Sequence, residues 1–303
     1  FLDAFKRLPK ITKIRPGAPK ADQRSSQASP SLQIPTERRF QGSKFYFLKN
    51  DLVRLEFALM QFGMDFLQKK GFKLIMTPDM AKSRYYLGTG YAPKGDEAQI
   101  YEIEGEDLGL IATAEITMAG IHADEVISEE QLPLKYAAIS HCYRKEAGAY
   151  GQYSKGLYRV HQFTKLEMFA YTLPEDSEAM HQEMLAIEEE ITQALGIPYQ
   201  VLEMCSGDLG AIASKKYDLE AWMPGRDGYG EITSTSNTTD FQARNLNIKA
   251  KRKDGKKELA HMLNGTALVS SRIPVAILEN YQQADGRVKI PEALVSYMGG
   301  QEF

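Results

Sequence analysis

Residues 143–169 read YRKEAGAYGQYSKGLYRVHQFTKLEMF, and this stretch carries the strongest structural signal in the chain. On both sides of a loop that contains three glycines, the residues alternate as they do in strands, which predicts a β-hairpin. The residues expected on one surface of this hairpin are Arg144, Glu146, Arg159, Phe163 and Glu167. An arginine can clamp a phosphate, an aromatic ring can stack on a base, and a carboxylate can bind an amine. The stretch therefore predicts a site for a nucleotide and an amine-bearing substrate, although polar alternation also occurs on solvated sheet faces.

The composition indicates a globular chain without a membrane segment or a cysteine-based site. The chain has 303 residues, of which 43% are hydrophobic, enough for one large domain or two modest ones. Its apolar runs are too short for a transmembrane helix. Cys142 and Cys205 lie far apart and form no C-x-x-C pair, and the five histidines lack metal-ligand spacing. These features argue against a disulfide framework and a zinc site.

Charge is distributed unevenly along the chain. Residues 1–44 contain ten Lys or Arg and three acidic residues, so they carry +7 while the remainder carries −10. Residues 16–36 are rich in Pro, Ser, Ala and Gln without periodicity, which is typical of a linker. We therefore expect a basic, flexible leader over residues 1–41 and one ordered domain over residues 42–303. The leader could tether nucleic acid or be a solvated linker. Its composition also resembles an organellar transit peptide, so a mitochondrial location is the alternative to a cytoplasmic one.

Periodicity predicts an α+β domain with an antiparallel sheet. KFYFLK at 44–49 is expected to be a strand, followed by a helix that begins at Asn50 or Asp51 and ends at Gly71. FKLIMTP at 72–78 is expected to be a buried strand. The remaining predictions are two strands at 99–113 around Gly105, a helix at 174–195, strands at 199–203, 228–235 and 258–269, and a helix at 274–283. Strands joined by hairpins or long excursions favour α+β over a doubly wound fold.

The hairpin resembles motif 2 of the class II aminoacyl-tRNA synthetases. GLYRVHQF followed by Lys-x-Glu is similar to the version found in seryl-tRNA synthetases. Four further segments resemble the same family in the same order, and together the resemblance covers about residues 42–297. These segments are GFKLIMTPDM (motif 1, at the dimer interface), LGLIATAEITMAG (the TAE loop), YDLEAWMPGRDGYGEITSTSNTTDFQARN, and HMLNGTALVSSRIPVAILENYQ (motif 3).

The resemblance implies a role for each candidate residue. It implies that Arg144 and Arg272 are catalytic, with Arg272 on the γ-phosphate. The implied ATP-binding residues are Arg144, Glu146, Arg159, Phe163, Glu231 and Arg272. The implied serine-binding residues are Thr113, Glu115, Glu167, Asn264 and Thr266. Glu231 and Ser234 would hold Mg²⁺ that bridges the ATP phosphates, and their i, i+3 spacing on a strand requires a bend. Asn237, Gln242 and Arg244 are expected to line the same cleft.

The implied function is a serine-tRNA ligase that forms seryl-adenylate from serine and ATP and transfers the seryl group to tRNA(Ser). A homodimer without membrane attachment is implied as well. The family's helical tRNA-binding arm has no counterpart in residues 1–41, and the motif 2 loop reads GQYSKGL where the family commonly has more charge. Two alternatives therefore remain. One is an arm-less paralogue that loads serine or a small amino acid onto another acceptor, such as a carrier protein, and the other is a non-catalytic regulatory paralogue.

Overall fold

The computed structural model describes residues 10–15, 44–91, 99–146 and 157–302. Within these residues the chain forms one large sheet, two small sheets and a set of helices. The strands are β1 (Lys10–Arg15), β2 (Lys73–Met76), β3 (Met80–Ala81), β4 (Tyr101–Glu102), β5 (Gly109–Leu110), β6 (Val126–Ser128), β7 (Leu134–Tyr143), β8 (Gln162–Thr172), β9 (Tyr199–Glu203), β10 (Lys215–Met223), β11 (Gly228–Asn237), β12 (Lys249–Lys251), β13 (Lys257–Leu259) and β14 (His261–Val269). The α-helices are α1 (Asp51–Lys69), α2 (Ser83–Gly88), α3 (Glu115–Gly120), α4 (Ser177–Ala194), α5 (Phe241–Leu246), α6 (Arg272–Tyr281) and α7 (Glu292–Val295).

The large sheet is antiparallel except at one edge. In the described part of the chain its strand order is β1–β9–β10–β11–β14–β8–β7–β2, and only β2 and β7 run parallel to each other. The small sheets are β13–β12–β6 and β3–β5–β4. Antiparallel neighbours can be joined by a short connection without a helical crossover, as β10 and β11 are. The predicted α+β fold with an antiparallel sheet is therefore confirmed.

The central strand β8 is buried on both faces. Leu166, Met168 and Ala170 belong to the larger hydrophobic core, which includes buried residues of α1 and α4. Phe169 and Tyr171 alternate with them and pack in a second core with residues of α3 and α5. Because side chains on a strand alternate between faces, the polar residues that precede Phe169 lie on the α3 and α5 face. The candidate site is built on that face.

The amphipathic helix predicted after KFYFLK is confirmed as α1. Its buried residues include Leu52, Leu55 and Leu59, which recur at the three- to four-residue spacing of one helix face. The helix ends at Lys69, and Gly71 follows with a φ of +84°, a conformation that glycine adopts without strain.

Three sequence predictions are wrong in detail. Residues 45–49 contain no strand. FKLIMTP contains β2, but this strand lies at the sheet edge and is largely exposed rather than buried, with Met76 82% exposed. The predicted strand at 258–269 is two strands, β13 and β14, which lie in different sheets. Apolar composition alone cannot distinguish a buried strand from an apolar edge strand, because both read as continuous hydrophobic runs.

Part of the expected leader contributes to the sheet. Lys10–Arg15 forms β1, which pairs antiparallel with β9 at the sheet edge. The sequence analysis did not predict this strand. The rest of residues 1–41 lies outside the described part of the chain, so the domain boundary at residue 41 stays a prediction. Among the helices that the structure describes, none is long and apolar enough to cross a membrane.

Candidate active site

An open cleft lies where β7, β8, β11 and β14 meet the start of α6. It encloses about 420 Å³ of empty space, counting the part that is open to solvent. The lining residues are Arg144, Glu146, Tyr158, Arg159, Val160, Phe163, Lys165, Glu231, Ile232, Thr233, Thr266, Val269, Ser271 and Arg272. We call its six predicted nucleotide-binding residues the charged rim: Arg144, Glu146, Arg159, Phe163, Glu231 and Arg272.

Arg144 is held against the ring of Phe163. The hairpin is extended beyond β7 by a hydrogen bond from the Arg144 backbone N–H to the His161 carbonyl at 2.9 Å. The guanidinium carbon lies 5.3 Å from the centre of the Phe163 ring, and Nε donates to the Ala112 carbonyl at 3.1 Å. A cation over an aromatic face is attracted by the ring quadrupole. These contacts orient the guanidinium toward the cleft before any ligand is present.

Arg159 and Glu146 form a looser pair at the mouth of the cleft. Arg159 Nη1 lies 3.4 Å from Glu146 Oε2, and the Arg159 side chain is 40% exposed. Glu146 has a φ of +48°, so the chain turns sharply after Arg144. The loop that follows, with Gln152, Tyr153 and Lys155, lies outside the described residues.

Arg272 faces Glu231 across the cleft. Arg272 is the first residue of α6, and its Nη1 lies 2.8 Å from Glu231 Oε1. Its guanidinium carbon is 4.9 Å from the Tyr158 ring centre, and the Tyr158 hydroxyl donates to the Glu231 carbonyl at 2.7 Å. Removal from water would raise the pKa of the Glu231 carboxyl, but Arg272 and then Lys216 outweigh it and hold that pKa below its usual range. Glu231 is therefore ionised at neutral pH.

A bulge in β11 places Glu231 and Ser234 on the same side of the sheet. Leu219 pairs with Thr233 and Glu220 pairs with Glu231, so Ile232 is the extra residue. This bulge is the bend that the i, i+3 spacing predicted.

Asp218 pairs with Ser234 across the β10–β11 ladder and hydrogen-bonds to its side chain. Burial, and then Glu231, raise the pKa of the Asp218 carboxyl to about 6. Among the described residues no cluster of three or more His, Cys, Asp or Glu could hold a metal by itself. The hard oxygen donors of Glu231 and Ser234 nevertheless fit Mg²⁺ whose other ligands are phosphate oxygens and water.

A second group of polar residues lies deeper, on β8, β14, α3 and α5. We call it the buried network: Thr113, Glu115, Lys165, Glu167, Gln242, Asn264 and Thr266. Lys165 and Glu167 form an ion pair and are 5% and 2% exposed. Lys165 Nζ also donates to the Thr113 hydroxyl at 2.7 Å, and the Thr266 hydroxyl donates to Glu167 at 3.4 Å. A buried charge pair of this kind persists only when it is well paired, because desolvation is costly.

Glu115 is the other acid of the buried network. Its carboxylate accepts hydrogen bonds from Gln242 Nε2 at 2.6 Å, Asn264 Nδ2 at 2.9 Å and the Tyr91 hydroxyl at 3.1 Å. Burial, and then the charge of Glu167, raise the pKa of Glu115 to about 7. Glu115 can therefore gain or lose a proton near neutral pH.

The structure brings most of the predicted site residues together, with some exceptions. All six residues predicted to bind ATP line the cleft, whereas Thr266 alone among the predicted serine-binding residues does so. The other four lie below it in the buried network. Arg244, expected in the cleft, is an exposed cation paired with Asp240, and Asn237 caps a turn through Thr239 N–H.

The sequence analysis missed four residues that shape the site: Tyr91, Tyr158, Lys165 and Asp218. The sequence analysis gives Lys165 no role beyond the Lys-x-Glu step, although a lysine within a mostly apolar central strand signals a buried pair. Asp218 stands in the YDLE segment at a position that alternates with the apolar residues of β10. Tyr91 and Tyr158 carry no local signal, because their partners are distant in the sequence.

Comparison with known proteins identifies the family. A model of the tRNA synthetase class II core domain (G, H, P, S and T) matches residues 100–281. The crystal structure of cytoplasmic serine-tRNA ligase from Naegleria fowleri, in complex with AMP, is 40% identical with a TM-score of 0.88. That match covers 97% of this chain and 72% of the other. The chain belongs to the seryl-tRNA synthetases of class II.

Other seryl-tRNA synthetases are also similar to this chain. The Pyrococcus horikoshii enzyme complexed with ATP has a TM-score of 0.86 at 46% identity, covering 89% of this chain and 60% of that one. The serine–tRNA ligase of Treponema denticola is 61% identical over 260 residues, and that of Rubrobacter xylanophilus is 59% identical over 258 residues. Each match covers 85% of this chain. The chain spans 62% and 61% of the length of these two relatives.

Proposed function

We propose that this chain catalyses the ATP-dependent activation of serine and the transfer of the seryl group to tRNA(Ser). The observation that carries the proposal is the cleft itself, in which three arginines, an aromatic ring and the ionised Glu231 carboxylate converge above the buried network. The family membership and the solved complexes of relatives with ATP and AMP support it.

The charged rim would bind ATP. In this proposal the base stacks on Phe163 while Arg144 contacts the α-phosphate and Arg272 the γ-phosphate. Attack of the serine carboxylate on the α-phosphorus builds negative charge on the phosphate oxygens, and fixed guanidinium groups stabilise that charge without a protein nucleophile. Arg159 and Glu146, at the mouth, would close on the nucleotide from the hairpin.

Glu231 and Ser234 would hold Mg²⁺ between the phosphates. A bound Mg²⁺ neutralises phosphate charge and orients the pyrophosphate leaving group. In the structure Glu231 is paired with Arg272 and Ser234 with Asp218. Binding of the nucleotide and cation would replace the first of these contacts, since Arg272 would turn to phosphate and Glu231 to the cation.

The buried network would bind serine. Glu115 and Glu167 offer carboxylates to the substrate ammonium and hydroxyl, and Thr266 limits the volume at the cleft side. A pocket that hydrogen-bonds a substrate hydroxyl rejects the analogue without it, because its polar groups are then unpaired. Alanine should therefore be activated far more slowly than serine, and comparable rates would contradict this assignment.

One experiment tests the proposal in two stages. Serine-dependent exchange between ATP and pyrophosphate measures activation, and charging of purified tRNA with and without a long variable arm measures transfer. Both activities are expected. Exchange without charging would support the alternative acceptor considered above, and absence of exchange would exclude the enzymatic proposal.

We further propose a homodimer formed through β2 and α1. β2 is an edge strand of the large sheet, and large apolar side chains are exposed on both elements: Val53, Phe57, Leu74 and Met76. An apolar edge strand left in water invites pairing with another chain. Sedimentation of the wild-type chain should give a dimer at micromolar concentration, and Met76→Lys together with Phe57→Asp should give a monomer. A monomeric wild type would refute this proposal.

A cytoplasmic location is proposed by analogy with the cytoplasmic Naegleria relative.

A further inference from the structure

A buried carboxyl group lies behind the sheet, beneath the strands that carry the proposed cation and serine residues. Glu188 on α4 is fully buried. Its Oε2 accepts a hydrogen bond from the Thr233 hydroxyl at 3.0 Å. α4 packs in the larger core with Leu166 and Met168, so Glu188 approaches the sheet from the side opposite Lys165 and Glu167. Its contact with the site runs through the strand residue Thr233.

The two strands next to Glu188, β11 and β14, separate from each other close to this residue. β11 and β14 pair over three residues, which are Thr235 with Gly265, Ser236 with Asn264 and Asn237 with Leu263. Beyond Thr235 and Gly265 both strands continue without pairing to each other. This separation forms the floor of the cleft. Strand residues that have no hydrogen-bonded neighbour on one side need another contact to hold their position, because ordering the backbone costs conformational entropy.

Thr233 is the first residue of β11 after the bulge at Ile232. Its hydroxyl points toward α4, where Glu188 accepts its hydrogen bond, and the neighbouring Glu231 and Ser234 point the other way. A bulge places one residue out of alternation, and a contact on the next residue fixes which residues face each side. Thr233 stands between Glu231 and Ser234, so its hydrogen bond to Glu188 anchors from α4 the strand segment that carries both proposed cation ligands.

The other strand is in contact with the same carboxyl group. A Cβ atom at Gly265 would lie 3.1 Å from Glu188 Oε1 and 2.9 Å from the Thr235 hydroxyl, so the carboxyl occupies the space beside this glycine. Gly265 stands between Asn264 and Thr266 of the buried network. Burial raises the pKa of Glu188 well above its usual range, which favours the protonated, neutral form of the carboxyl.

We infer that Glu188 is a positioning residue, which holds the separated strands β11 and β14 from behind so that Glu231 and Ser234 present their oxygens to the cation and ATP. The inference rests on the proposed function for the identity of those ligands. It assigns a role to a group on the face of the sheet that the proposed chemistry does not reach.

The test compares three variants of the full chain. Glu188→Met removes the hydrogen-bond acceptor and keeps the volume, whereas Glu188→Gln keeps a neutral acceptor for Thr233. Glu189→Met is the matched control, because Glu189 is a buried acid on the same helix whose carboxylate accepts from the Tyr199 hydroxyl at 2.9 Å, away from the cleft. Calorimetry measures the affinity for Mg²⁺–ATP, and exchange kinetics measure the Mg²⁺ concentration at half-maximal rate and the KM values for ATP and serine.

Glu188→Met should weaken Mg²⁺–ATP binding and raise the half-maximal Mg²⁺ concentration by about tenfold, as expected when one buried hydrogen bond is lost. The KM for serine should change less than the KM for ATP. Glu188→Gln should restore wild-type values, and Glu189→Met should leave them unchanged even where it lowers the melting temperature.

Three results would overturn the inference: unchanged Mg²⁺–ATP affinity in Glu188→Met, an equal loss in Glu189→Met, or no recovery in Glu188→Gln. Thr233→Val removes the same hydrogen bond from the other partner, and its effect should not add to that of Glu188→Met. It also serves as the test if Glu188→Met does not fold. Absence of serine-dependent exchange in the wild-type chain would instead overturn the proposed function, while the calorimetric ratio would still decide the role of Glu188.

Discussion

The charged rim and the buried network differ in how their charges are paired. In the charged rim, Arg159 pairs with Glu146 and Arg272 with Glu231, and one side chain of each pair is exposed to solvent, Arg159 to 40% and Glu231 to 36%. In the buried network, Lys165 and Glu167 are almost fully enclosed and Glu115 accepts three hydrogen bonds. Exposed pairs exchange partners at little cost, whereas buried pairs are fixed. The comparison suggests that the rim reorganises around its ligand and that the network is formed in advance.

The largest expected effect is on stability, in the buried network. Lys165→Met leaves the Glu167 carboxylate buried without its cation, so the free energy of unfolding should fall by about 3–5 kcal/mol. Denaturant titration measures this change. Lys215→Met is the control, because it breaks the exposed pair with Glu178 and should cost less than about 1 kcal/mol. Equal losses of unfolding free energy in the two variants would contradict the difference between buried and exposed ion pairs.

The next effect is on catalysis, in the charged rim. Arg272→Ala should lower the exchange rate by about 10²–10³-fold, or about 3–4 kcal/mol, because it removes a positive charge that would stabilise the negative charge developing on the phosphates. Arg244→Ala provides the control, since Arg244 is an exposed arginine paired with Asp240 outside the cleft. If Arg272→Ala catalysed ATP–pyrophosphate exchange as fast as Arg244→Ala, Arg272 of the charged rim would have no role in catalysis.

A smaller effect is expected from the proton on Glu115. Its pKa of about 7 means that the carboxylate, which binds the serine ammonium in this proposal, is mostly protonated at pH 6 and mostly ionised at pH 8. The KM for serine should therefore fall by about tenfold from pH 6 to pH 8. Glu115→Gln should abolish this dependence, and a KM profile that is equally steep in the variant would assign the titration to another group.

The free energy of unfolding should decrease as pH rises, whereas the binding of serine should become tighter. Because the folded-state pKa of Glu115 lies above its ordinary value of 4.5, the folded chain holds this proton more tightly than the unfolded chain. The contribution of Glu115 to the unfolding free energy is fully present below pH 4.5 and is lost as pH rises to about 7. Glu115→Gln should flatten this part of the stability profile.

The smallest effect belongs to the exposed pair of the rim. Arg159→Ala should change the free energy of unfolding by less than about 1 kcal/mol, because Arg159 is 40% exposed and its contact with Glu146 is long, at 3.4 Å. The same variant should weaken ATP binding measurably by calorimetry. A stability loss above about 2 kcal/mol would show that this pair is structural, and the contrast with the buried network would then fail.

The elements that sequence reasoning predicted correctly are those whose signal is local. The apolar spacing of α1, the alternation on β8 and the i, i+3 step between Glu231 and Ser234 each depend on residues within a few positions, and the helix, the strand and the bulge all occur. β2 was misjudged because exposure of an apolar strand depends on its place at the sheet edge. The strand β1 was missed because its pairing partner, β9, lies almost two hundred residues away.

The sequence by itself determined the α+β class, the hairpin and the residue types of the charged rim, since strand alternation and short connections are local consequences of the chain. Only the tertiary structure determined that Lys165 pairs with Glu167 out of water, that Glu115 is buried beside Gln242 and Asn264, and that Glu188 holds Thr233 from behind the sheet. The physical reason is that burial, and the pKa and pairing that follow from it, are produced by elements distant in sequence packing against one another.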